Sequence, residues 1–153
     1  MAKFRRSYMI GAFAGIAMTL SLSAVSESAA AQVRNLAQPG AFAIEASPSG
    51  ASFEKQGRIE QQTAAGWETV FGEFSLVEDC GAAAALPACV TLAPGAVMRP
   101  VPWNGYTCYG QCSRPCKSNV YRPPGTFRLV LTVCGGGAQV MGTPFFMGPR
   151  AKQ

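Results

Sequence analysis

From Phe42 onward the chain is a succession of short alternations of apolar and polar residues, each closed by a turn signal. Phe42-Ala43-Ile44-Glu45-Ala46 alternates and predicts a strand, with Ser47-Pro48-Ser49-Gly50 as the turn behind it. Ser52 to Lys55 predicts a short strand. Arg58 to Thr63 and Trp67 to Phe71 flank Ala64-Ala65-Gly66 and predict a hairpin. Strict alternation would put Trp67, Thr69 and Phe71 on one face of that hairpin and Glu68 and Val70 on the other. Phe74 to Glu78 reads as a further strand, and Gly81 to Pro87 as an alanine-rich loop. Cys89 to Leu92 is extended, Pro94-Gly95 turns, and Ala96 to Arg99 continues into Pro100-Val101-Pro102-Trp103, where the prolines confine pairing to an edge.

Asn104-Gly105 and Pro123-Pro124-Gly125 predict turns around an aperiodic segment dense in Cys, Gly, Ser and Pro. Thr126 to Cys134 is the strongest strand pattern in the chain. Gly135-Gly136-Gly137 ends it, and Gln139-Val140-Met141 predicts a short strand pairing back. No segment of this region repeats apolar residues at helical spacing. Many short strands with turns about every 8–12 residues predict an all-β sandwich or barrel.

The N-terminus follows a different pattern. Lys3, Arg5 and Arg6 precede an apolar run from Tyr8 to Val25, and small residues follow, ending Ser28-Ala29-Ala30-Ala31-Gln32. Ala29 and Ala31 fill the −3 and −1 places of a leader cleavage site, which predicts export and a cut after Ala31. An uncleaved leader is the one route by which this chain would be membrane-held. Arg5-Arg6-Ser7-Tyr8-Met9 loosely resembles a twin-arginine export signal; an ordinary basic leader start is the simpler reading. The expected layout is a leader over residues 1–31, beginning as a signal helix, then a tether over 32–40, one domain over 41–147 and a tail over 148–153.

Removing the leader takes Lys3, Arg5, Arg6 and Glu27 with it. The remaining 122 residues carry ten Lys and Arg against seven Asp and Glu, a net charge of +3. These basic residues are scattered, with no run to track phosphates, which argues against nucleic-acid binding. The chain has no histidine. Loss of the commonest general base and the commonest metal ligand points away from an enzyme and from a cofactor.

All six cysteines, Cys80, Cys89, Cys108, Cys112, Cys116 and Cys134, follow the leader. In an oxidising compartment an even set of thiols predicts disulfides. Read as metal ligands, Cys108, Cys112 and Cys116 with Cys134 lack the paired spacing of structural zinc sites. Cys80–Cys89 would close the alanine-rich loop. Cys134 would then tie the 108–116 segment to the sheet, through Cys112 with Cys108–Cys116 paired, or through Cys108 with Cys112–Cys116 paired.

Around this segment lie Arg99, Trp103, Tyr106, Tyr109, Arg114 and Tyr121, with Lys117 and Arg122. Aromatics and arginines dominate binding hot spots, so they form a candidate partner-binding surface. The competing reading has Trp103 and Tyr121 plugging the end of a sandwich. The carboxylates Glu60, Glu68, Glu73, Glu78 and Asp79 are expected on solvated strand faces, not as a hydrolytic pair.

Leu92-Ala93-Pro94-Gly95, Trp103-Asn104-Gly105 and Pro123-Pro124-Gly125-Thr126-Phe127 together resemble the Leu-x-Pro-Gly, Trp-Asp-Gly and Pro-x-Gly-Thr-Tyr signatures of bacterial subtilisin-inhibitor-like immunoglobulin domains, over roughly residues 90–134. The resemblance implies an immunoglobulin-like antiparallel β-sandwich, here stapled by disulfides, and protease inhibition as one role. Asn104 stands for the aspartate, Phe127 for the tyrosine, and the cysteine-rich segment is inserted. Phe127 lacks the hydroxyl of a tyrosine corner. The expectation is a periplasmic or secreted module that binds an extracellular or envelope protein.

Overall fold

The computed structural model describes residues 30–77, 88–107 and 119–150. These form an all-β fold of antiparallel strands. The strands are β1 (Ala31–Asn35), β2 (Phe42–Ala46), β3 (Ala51–Glu54), β4 (Gln56–Thr63), β5 (Gly66–Ser75), β6 (Cys89–Leu92), β7 (Val97–Met98), β8 (Gly125–Thr132), β9 (Gln139–Met141) and β10 (Phe145–Met147). One sheet has the order β1-β2-β7. A second runs β10-β8-β4-β5, with β9 also on β8, and β3 pairs with β6.

Alternation sets which side of each strand is covered. Phe42, Ile44 and Ala46 of β2 join Val33 of β1 from one sheet. Ile59, Phe127, Leu129 and Leu131 come from β4 and β8 of the other, and all belong to one core cluster. Rings run through it edge to face. Phe74 meets Phe42 at 5.8 Å, Phe42 meets Phe145 at 5.4 Å, and Trp103 meets Phe127 at 4.9 Å. Such contacts add about 0.5–1.5 kcal/mol each to the burial of the rings.

The predicted hairpin forms, with Thr63 paired to Gly66 across Ala64 and Ala65. Its faces differ from strict alternation. Thr69 pairs with Glu60 but Phe71 pairs with Ile59, so β5 carries an extra residue at Val70, a β-bulge. The bulge leaves Trp67 and Thr69 on the outer face and turns Phe71 into the core. A second register shift follows, and Phe74 belongs to the same strand as Phe71, not to a separate one. Gln139 to Met141 pairs back on β8 as predicted.

The proposed tether over 32–40 is corrected. Residues 31–35 are β1, paired along its length with β2. The Trp103 N–H donates to the Gly40 carbonyl at 2.8 Å. Gly40 has φ of 80°, and a side chain there would strike the Trp103 carbonyl. At the start of the expected tail, Gly148 and Arg150 both bond to the domain, and residues 151–153 lie outside the described residues. Residues 1–29 of the leader expected over 1–31, its helix included, lie outside the described residues.

Cysteine pairing differs from expectation too. Cys89 is bonded to Cys134. This overturns Cys80–Cys89 and both arrangements that joined Cys134 to the 108–116 segment. The reason is the position of β3. Its Glu54 pairs with Cys89, while its Ser52 carbonyl accepts the Cys134 N–H at 2.9 Å, so the two cysteines converge with Cα atoms 6.2 Å apart. A bond closing a separation of 45 residues contributes about 4 kcal/mol in the chain-entropy account. It also removes Cys134 from any thiolate set. Cys80, Cys108, Cys112 and Cys116 lie outside the described residues.

Candidate functional site

The segments entering and leaving residues 108–118 run side by side. Tyr106 and Tyr121 form an antiparallel bridge. The Thr107 N–H donates to the Val120 carbonyl at 3.1 Å, the Val120 N–H to Thr107 Oγ1 at 3.1 Å, and the Arg122 N–H to the Gly105 carbonyl at 2.9 Å. The Asn104-Gly105 turn starts this ladder, with Asn104 Oδ1 accepting the Tyr106 N–H at 3.1 Å. Gly105 has φ of 88°, and a side chain there would run into the Tyr121 ring and Pro123.

On this frame the Tyr106 and Tyr121 rings lie 5.0 Å apart, tilted by 52°, and each is part-exposed. Their hydroxyls are fixed from outside the ladder. Arg150 Nη1 donates to the Tyr106 hydroxyl at 2.8 Å, and the Tyr121 hydroxyl donates to the Gly148 carbonyl at 3.3 Å. Arg122 and Arg150 are exposed beside them, as is Val120. The result is a held aromatic pair with a cationic border.

Of the predicted surface residues, Tyr106 and Tyr121 are thus brought together. Arg99 is exposed just beyond β7. Tyr109 and Arg114 lie outside the described residues. Trp103 is corrected: it is 1% exposed, packs on Phe127 and Phe145, and donates its indole N–H to the Tyr106 carbonyl at 2.7 Å. It belongs to the core and supports the site from beneath. Arg150 was missed, because it sits in a Gly-Pro-containing C-terminal stretch with no pattern to tie it to Tyr106.

A second polar assembly crosses the outer face of the larger sheet. Glu60 accepts from Arg58 Nε and Arg128 Nε, both at 2.8 Å; Arg58 reaches Gln139 at 2.8 Å, and the Arg128 guanidinium lies 4.2 Å from the centre of the Trp67 ring. Burial pushes the Glu60 carboxyl up, but hydrogen bonds and charge from Arg58 and Arg128 outweigh it and hold the group below the usual carboxylate range. Glu60 is therefore not the solvated side chain expected. Glu68 is exposed and accepts from Thr63 Oγ1 at 3.2 Å; Glu78 and Asp79 lie outside the described residues.

Between β1 and β9 lies an open groove of about 750 Å³, walled by Ala31, Val33, Val133, Val140 and Met141. Its polar rim residues are largely engaged: Arg34 with Glu45 and Gln139 with Arg58. No protein-family model, curated protein or solved structure matches the chain.

Proposed function

We propose that the chain is an exported, non-enzymatic binding module of immunoglobulin-like architecture. It engages an extracellular or envelope protein through the Tyr106–Tyr121 surface. The Tyr106–Tyr121 pair itself carries this reading. Tyrosine faces left part-exposed, with both hydroxyls already bonded, offer apolar area at little ordering cost, and arginines flank them. The cationic border fits a partner with an acidic patch. The architectural reading draws support from two antiparallel sheets sharing one core, with Trp103 against the central strand β8. The periplasm or extracellular space suits a chain with a structural disulfide.

The test is retention of a partner from the extracellular or envelope fraction by immobilised protein. Tyr106→Ala combined with Arg150→Ala should lose a partner that the unaltered protein retains, with the thermal midpoint lowered by only a few degrees. Equal retention by both proteins refutes the surface. Trp103→Ala should instead destabilise the whole domain strongly, and so serves as the control for indirect loss.

A further inference from the structure

The cleavage junction read from the sequence coincides with a docked strand. Ala29 and Ala31 mark a cut between Ala31 and Gln32. A peptidase must take the residues on both sides of that bond as an accessible, extended segment. In the folded chain Ala31 is 3% exposed and opposite Ala46, while Gln32 is opposite Glu45. The Ala30 carbonyl accepts the Ser47 N–H at 3.0 Å. The strand is held further along by buried Val33, and by Asn35 Nδ2, which donates to the Thr143 carbonyl at 2.7 Å and the Pro144 carbonyl at 3.1 Å.

We infer that cutting and folding exclude one another at this junction, and that the chain crosses the membrane unfolded and is cut before β1 docks. This rests on the export reading above. A route that carries folded cargo would deliver the bond already paired to β2 and covered. Arg5 and Arg6 then act only as leader charge. The disulfide agrees with this order, because Cys89 and Cys134 meet only once β3 lies between β6 and the end of β8.

The experiment uses the full chain with its leader, folded and oxidised, and bacterial leader peptidase in detergent. The folded chain should stay uncut over a period in which a peptide of residues 24–38 is cleaved after Ala31, at a rate at least tenfold lower. Reduction and urea at a level the enzyme tolerates should restore cutting. In cells, Arg5→Lys with Arg6→Lys should leave export and processing unchanged. Cleavage of the folded chain after Ala31 at the peptide's rate overturns the ordering, and so does loss of export in the double-lysine variant. A peptide that resists the enzyme removes the leader reading itself, and the ordering with it.

Discussion

Trp103 and Tyr106, three residues apart, share one hydrogen bond and divide two roles: the indole N–H is donated at 2.7 Å to the carbonyl of a residue whose own ring faces outward. The turn at Asn104-Gly105 makes this division possible. It lets the chain leave the core within one residue of its largest buried side chain.

Trp103→Ala should therefore cost about 3–5 kcal/mol, measured by denaturant unfolding, because it empties a ring-sized space against Phe127 and Phe145. Tyr106→Ala should cost far less. Comparable losses for the two would show that Tyr106 belongs to the core.

Breaking the crosslink with Cys89→Ser and Cys134→Ser should lower stability by about 2–4 kcal/mol without changing the fold, read by thermal melts and circular dichroism. Peptide mapping of the oxidised protein should recover Cys89 joined to Cys134. With that pair assigned, any full pairing of the other four cysteines joins Cys80 to Cys108, Cys112 or Cys116. A peptide linking Cys80 to Cys89 would contradict the structure.

Glu60→Gln should lower stability by about 2 kcal/mol at neutral pH, since it leaves Arg58 and Arg128 facing a neutral amide. The folded carboxyl titrates below its unfolded value. Its stabilisation is therefore complete above the unfolded value and lost as pH falls through the folded one. The gap between the two proteins should begin to narrow as pH falls below the ordinary glutamate value of about 4.3, and close only at lower pH, below the depressed folded value. A gap independent of pH would show that charge is not what Glu60 contributes.

Gly40→Ala should destabilise by more than about 1 kcal/mol, because a left-handed backbone and a close Trp103 carbonyl both exclude a side chain. Hydrogen exchange should locate the added opening at β1 and β2.

Local signals carried the strands well. Gly95, Gly105 and the Ala64-Ala65-Gly66 loop turn where their residue types demand, and β2, β6 and β8 fall on their alternations. The misreadings have a shared cause, since each depends on something distant in sequence. Ala31 to Asn35 has few apolar residues and reads as a strand only once β2 is beside it. Phe71 changes face because β4 tolerates an extra residue at Val70. Cys89 finds Cys134 through β3, and no spacing along the chain encodes that meeting. Trp103 lies among prolines, where no period exists to assign it inward or outward. The tyrosine pair was legible as composition, whereas its fixation by Arg150 and Gly148 was not.

The extra residues in β5 reach beyond the hairpin. Among the described residues this strand closes one margin of the larger sheet, where an even row of backbone groups would invite a strand from another molecule. Two breaks in its rhythm spoil that template, so molecules crowded together are discouraged from stacking into fibrils along this side.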